Sequence, residues 1–155
     1  MPTPKKYRLP TGNQRLLLCI PRGGLNDTLC QIQKCLDYAI EFDRTVIIDA
    51  RKSGLMGQFD DFFLIESHNQ NIISHLDPEI YPFLNSLHCI PAQLHNRIDS
   101  FKSDHYLPYQ QFVDVTNNML LSFNFKKDYS EPLLVHEQAG GGTNSWELLG
   151  NVTLQ

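Results

Sequence analysis

The chain has 155 residues, 41% of them hydrophobic and 19% charged, with 13 Lys+Arg against 17 Asp+Glu and a formal net charge of -4. That length suits one compact domain able to bury roughly two-thirds of its unfolded surface without disulfides or metals, and the composition excludes a disordered chain. The mild negative balance argues against a general nucleic-acid binder; no apolar run reaches the roughly 18 residues of a membrane-spanning helix, and the basic start Met1-Pro2-Thr3-Pro4-Lys5-Lys6 lacks the apolar stretch of a secretory signal.

Residues 1–13, with Pro2, Pro4 and Pro10, read as a polar lead-in to a single domain over 14–155. Arg15-Leu-Leu-Leu-Cys-Ile20, ended by Pro21, is a continuous apolar run of the kind buried on both faces of a parallel sheet. The turn-rich loop from Pro21 to Thr28 follows. Apolar residues at Leu25, Leu29, Ile32, Leu36, Ala39 and Ile40 predict an amphipathic helix from Asp27 to about Phe42, with Asn26 or Asp27 as N-cap. Thr45-Val-Ile-Ile-Asp-Ala50 predicts a second buried strand, so a strand, glycine loop, helix and strand form a βαβ unit with a right-handed crossover.

The middle of the chain is less patterned. Phe59-Asp-Asp-Phe-Phe63 reads as a short helix whose rings pack on the sheet, and residues 66–82 are helix-compatible up to Pro78 and Pro82. Leu87-His-Cys-Ile90 before Pro91 predicts a short third strand, 92–111 an irregular surface, and Phe112 to Phe125 a covering helix. Pro132 to Gln138 predicts a strand that ends polar and runs into Gly140-Gly141-Gly142. The expected fold is α/β, a Rossmann-like three-layer sandwich with a mainly parallel sheet.

Ligands of such sheets lie outside the carboxyl ends of the strands. There the Gly23-Gly24-Leu25-Asn26 loop offers backbone N–H groups and the positive end of a helix to an anion such as a diphosphate, with Arg22 adding charge and the Asn26 amide able to donate and accept. The plainer alternative is that the glycines permit a tight turn and Asn26 caps the helix. His136, beside the glycine run, suits a polar substrate contact or a base; equally, it suits a hydrogen bond to a nearby loop. Asp49 reads as an ion pair with Arg51 that holds its loop, with a sugar or ribose contact as the alternative.

Several chemistries are excluded in strict form. Neither a G-x-G-x-x-G nor a P-loop pattern is present, nor a G-x-S-x-G nucleophile elbow. The six histidines show no ligand spacing, so no metal site is expected. Cys19, Cys30, Cys35 and Cys89 include no C-x-x-C pair and read as reduced, buried small hydrophobes, which points to the cytoplasm.

The stretch from Leu16 to Ala50 resembles the opening βαβ unit of the inverting fucosyltransferases that use GDP-fucose, a group with protein O-fucosyltransferases and the α1,2-, α1,6- and nodulation enzymes. Their first strand is followed by a Gly-Gly-x-Asn or Gly-Gly-x-x-Asn-Gln loop similar to Gly23-Gly24-Leu25-Asn26, and Phe59 to Phe63 resembles an aromatic–acidic segment after their second strand. The resemblance implies a GT-B architecture of two Rossmann-like domains facing a cleft, no cofactor or metal, GDP-fucose as donor and a glycan as acceptor. It places Gly23, Gly24 and Asn26 near the diphosphate or the cleft floor. His136-Glu137-Gln138 departs from the family's His-x-Arg motif, since no arginine stands two places on. The chain is therefore expected to be the N-terminal half of such an enzyme, inactive alone, with its catalytic residues unassigned. The alternatives are a stand-alone α/β module that binds an anionic small molecule or a protein partner without catalysis, and a purely structural domain.

Overall fold

The computed structural model describes residues 15–65, 72–77, 79–99, 122–138 and 152–154. Strand β1 (Leu16–Pro21) is buried along its whole length. Leu17 and Cys19 enter one apolar core while Leu16, Leu18 and Ile20 enter another on the opposite face, which is why the run is continuous and does not alternate. Helix α1 (Leu25–Phe42) packs Ile32, Cys35, Leu36 and Ala39 on the first face, against Val46 and Ile48 of β2 (Thr45–Ile48). Leu25 and Ile40 fall outside this stripe and are exposed.

The helix begins two residues before the predicted start. Its N-cap is Gly24, in extended conformation, and no side chain caps the first amides; Asn26 and Asp27 lie inside the first turn. Thr28 closes that turn, its N–H and its Oγ1 both donating to Gly24 O at 2.9 and 2.8 Å. Asp27 still complements the helix dipole from there.

A 3₁₀ turn (Phe59–Asp61) leads into β3 (Phe63–Ile65), so the aromatic–acidic segment is a turn and a strand, with Phe59 and Phe63 buried and stacked at 5.1 Å. Further on, β4 (Ile72–Ile73) is a strand that the polar sequence around it conceals. Helix α2 (Ile80–Asn85) runs through Pro82, tolerated because the amides of a helix's first turn have no intrahelical partner. The expected third strand is β5 (Cys89–Ile90), and the late strand is β6 (Leu133–Gln138). Finally, β7 (Val152–Leu154) pairs antiparallel with β3 in a separate two-stranded sheet.

The main sheet has five strands in the order β4-β2-β1-β6-β5, every neighbouring pair parallel. α1 covers one face, and α2 with Leu76, Leu94 and Ile98 covers the other, giving the three layers. The lead-in, the glycine run 140–142 and most of the helix expected over 112–125 lie outside the described residues; the part described, Ser122–Phe125, is not helical. All four cysteines are buried and free of disulfides. From β1 the chain moves outward through β2 and β4, then crosses to the far edge on the other side as β5 and comes back beside β1 as β6. That reversal makes the carboxyl ends of β1 and β6 a topological switch point, where ligands of open α/β sheets bind.

Candidate functional site

Three chain segments meet at this switch point: the loop after β1, the loop after β2 and the end of β6. Gly23 has φ +89, and a Cβ there would stand 2.8 Å from Asp27 Oδ2, so only glycine fits. Gly23 O accepts the Gly54 N–H at 2.6 Å, and Gly23 forms a parallel bridge with Ser53. A Cβ on Gly54 would lie 2.9 Å from Gly23 O and 3.3 Å from Gly24 Cα. The two loops are thus locked backbone to backbone, with Gly54 as necessary to the contact as Gly23. Gly24 has open space where a Cβ would point, and Asn26 beside it is exposed.

Charge converges on the same place. Glu137, 2% exposed at the end of β6, accepts from Arg22 Nε at 3.2 Å and Lys52 Nζ at 3.1 Å, both on Oε1. Burial pushes the Glu137 carboxyl above its ordinary pKa, against the opposing pull of Lys52 and Arg22. One carboxylate thus gathers two cations close to a helix start that has no side-chain cap and carries Asp27 in its first turn. Backbone amides at a helix start beside cationic side chains are groups that can contact an anion.

Asp49, at the end of β2, is fully buried. Its carboxylate takes both Arg51 Nε and Nη2 at 2.9 Å, and Tyr81 of α2 also donates to it. Burial acts to raise its pKa, but the hydrogen bonds from Arg51 and Tyr81 outweigh it and hold the carboxyl below the usual range. Asp49 is therefore the ion pair that holds its loop. His136 is turned the other way, onto the α1 face, with no solvent exposure. Its Nε2 lies 2.6 Å from Gln31 Oε1 and its Nδ1 2.6 Å from Ser122 Oγ. Burial, with Lys34 adding to it, lowers its pKa to about 3, so the ring is neutral.

The structure accordingly brings Arg22, Gly23, Gly24 and Asn26 to one surface and sends His136 into the core beneath it. It adds Lys52, Gly54 and Glu137, which the sequence reading does not single out. The available signals were an acid at the polar end of a strand and a second glycine placed after β2 much as Gly23 follows β1. Among the described residues no three His, Cys, Asp or Glu side chains come together as a metal site, and no helix is long and apolar enough to cross a membrane.

No family model matches the chain, and no curated protein does. Solved structures do. Fucosyltransferase NodZ from Bradyrhizobium superposes with a TM-score of 0.65 at 19% identity, over 92% of this chain and 52% of that one. NodZ α-1,6-fucosyltransferase soaked with GDP-fucose gives a TM-score of 0.62 at 19% identity, and the same enzyme co-crystallised with GDP gives 0.65 at 20%. Each of these also covers 92% of this chain and 51% of the other. The chain spans about half the length of the solved structures it matches. What is shared is the fold, an α/β, Rossmann-like arrangement around a parallel sheet.

Proposed function

We propose that this chain, whose fold is fucosyltransferase-like, is the N-terminal Rossmann-like domain of a GT-B glycosyltransferase that transfers fucose from GDP-fucose to a glycan acceptor with inversion. The observation that carries this reading is the interlocked loop pair at the sheet's reversal, where Arg22 and Lys52 meet on Glu137 near the start of α1. As the sugar departs, negative charge grows on the diphosphate. Preorganised amides at Gly23 and Gly24 and the two cations offset that charge without rearranging. The Asn26 amide is positioned to orient donor or acceptor. His136 serves the site from inside the core, fixing β6 against α1 through Gln31. The domain alone turns over no donor, because in this reading the other half supplies most donor contacts. Free, buried cysteines support a reducing compartment, the cytoplasm.

Calorimetric titration of the chain with GDP, GDP-fucose and pyrophosphate tests this. GDP and GDP-fucose should both bind; Arg22→Ala should weaken them about tenfold or more, the value of one charge-assisted contact, and Gly54→Ala should weaken them by forcing the two loops apart. Absence of transfer from GDP-fucose by the full-length gene product overturns the reading, and absence of heat from this chain as well leaves a purely structural domain. Equal affinity for pyrophosphate and GDP, with no transfer by the full-length gene product, identifies a stand-alone anion-binding module instead.

A further inference from the structure

Inverting transfer needs a group that removes the proton of the acceptor hydroxyl. Most titratable side chains around the locked loops are already engaged. Glu137 is paired with Arg22 and Lys52, Asp49 is held by Arg51 and Tyr81, and both ring nitrogens of His136 have partners in the core. Beyond β4, His75 is paired with Asp60 of the 3₁₀ turn at 3.0 Å. Asp61, on the same turn, lies towards Gly57, past the locked pair of Gly23 and Gly54.

Asp27 is differently placed. It is the third residue of α1, half-buried, and its Oδ2 stands 2.8 Å from where a Cβ on Gly23 would be. The carboxylate therefore lies over the backbone of the glycine loop, in space that exists because residue 23 has no side chain. An acid at the third helical position ordinarily reaches back to accept the N–H of the cap residue. Here no described donor, the Gly24 amide included, makes a hydrogen bond to it, and the cations of the site, Arg22 and Lys52, go to Glu137. Thr28, the next residue, closes the turn on Gly24 O and leaves the acid alone. A carboxylate with uncommitted lone pairs, held where three segments meet, is what the removal of a hydroxyl proton requires. A donor bound at the same loop adds to this, because negative charge arriving nearby favours a proton on a neighbouring carboxylate.

We infer that Asp27 is the general base of the transfer, an inference that rests on the fucosyl-transfer reading. Its carboxylate takes the proton from an acceptor sugar hydroxyl, and the oxygen's electron pair forms the new bond to the anomeric carbon from the face opposite GDP. The bond from that carbon to the β-phosphate oxygen breaks, its electron pair leaving with GDP, and the carboxylic acid then gives its proton to solvent.

The test uses the full-length gene product with GDP-fucose and a hydroxyl acceptor. Asp27→Asn keeps the shape of the helix start but offers no base, so kcat should fall by about a hundredfold to ten-thousandfold while donor affinity and melting temperature hold. Asp27→Ala should form fucosyl azide of inverted configuration when azide is added, because that nucleophile needs no deprotonation and the missing carboxylate leaves it room. An Asp27→Asn variant with full kcat overturns the assignment. So does a kcat loss that comes with an equal loss of donor affinity, or an Asp27→Ala loss that azide does not relieve. A wild-type protein that transfers nothing from GDP-fucose overturns the transfer reading itself, and the base with it.

Discussion

Asp49 and Glu137 flank β1 at the same edge of one sheet, both out of solvent, yet their environments push them in opposite directions. Asp49 is satisfied locally by the guanidinium two residues on and by the Tyr81 hydroxyl, and its carboxyl is held below the ordinary range. Glu137 has no partner within its own strand. It draws Arg22 and Lys52 from two other loops, and burial still dominates, raising its pKa. A buried acid with a short-range clamp acts as a support for its loop. One that shares cations between loops gathers positive charge where a ligand can use it.

The largest effect should come from the clamped acid. Asp49→Ala leaves the Tyr81 hydroxyl and the Arg51 guanidinium without their acceptor, and the loss should be about 3 kcal/mol, the lower end for a broken buried pair because Arg51 reaches water. Urea unfolding at neutral pH measures it, and an unchanged midpoint would erase the contrast between the two acids.

One residue before Glu137, His136 extends the comparison inward. Its native pKa of about 3 lies below the ordinary 6.5, so between those values the unfolded chain binds a proton that the native state refuses. Stability contributed by the neutral ring is therefore complete above about pH 6.5 and falls on acidification by about 1.4 kcal/mol per pH unit. His136→Gln should remove that share of the slope between pH 6.5 and 5, read from urea midpoints. An identical slope in the variant would mean that the ring is solvated.

The smallest effect belongs to the shared acid. Glu137→Gln keeps the shape, and the two cations it releases are partly exposed and can rehydrate, so stability at pH 7 should stay within about 1 kcal/mol of wild type. The sign follows from the raised pKa: the native state favours the protonated acid, so its ionised form carries a burial cost at pH 7 that the amide lacks. A loss as large as that of Asp49→Ala would show both acids to be structural supports.

Much of this was legible in the residues. The uninterrupted apolar runs at Leu16–Ile20 and Leu133–Val135 marked strands buried on two faces, and the spacing of Ile32, Leu36 and Ala39 marked the helix between them. Boundaries were less visible, because the pinned loop starts α1 at Leu25 and leaves Asn26 and Asp27 inside the first turn. β4 was hidden because two residues suffice once β2 offers its edge, and no periodicity can be read from two residues. Arg22, Gly23, Gly24 and Asn26 could be nominated as one candidate site because they fall within five residues of one loop. Lys52, Gly54 and Glu137 could not, since each acquires meaning only from a segment distant in the chain.

The sequence by itself determined the class of the fold and the loop at its first strand, because local spacing encodes which faces are buried and glycine encodes where the backbone must turn. The tertiary structure alone decided which charges meet there. The parallel register set Glu137 beside Arg22 and Lys52, turned His136 into the core and brought His75 to Asp60. Such pairings depend on distance and burial between segments, quantities that exist only once the chain has closed on itself.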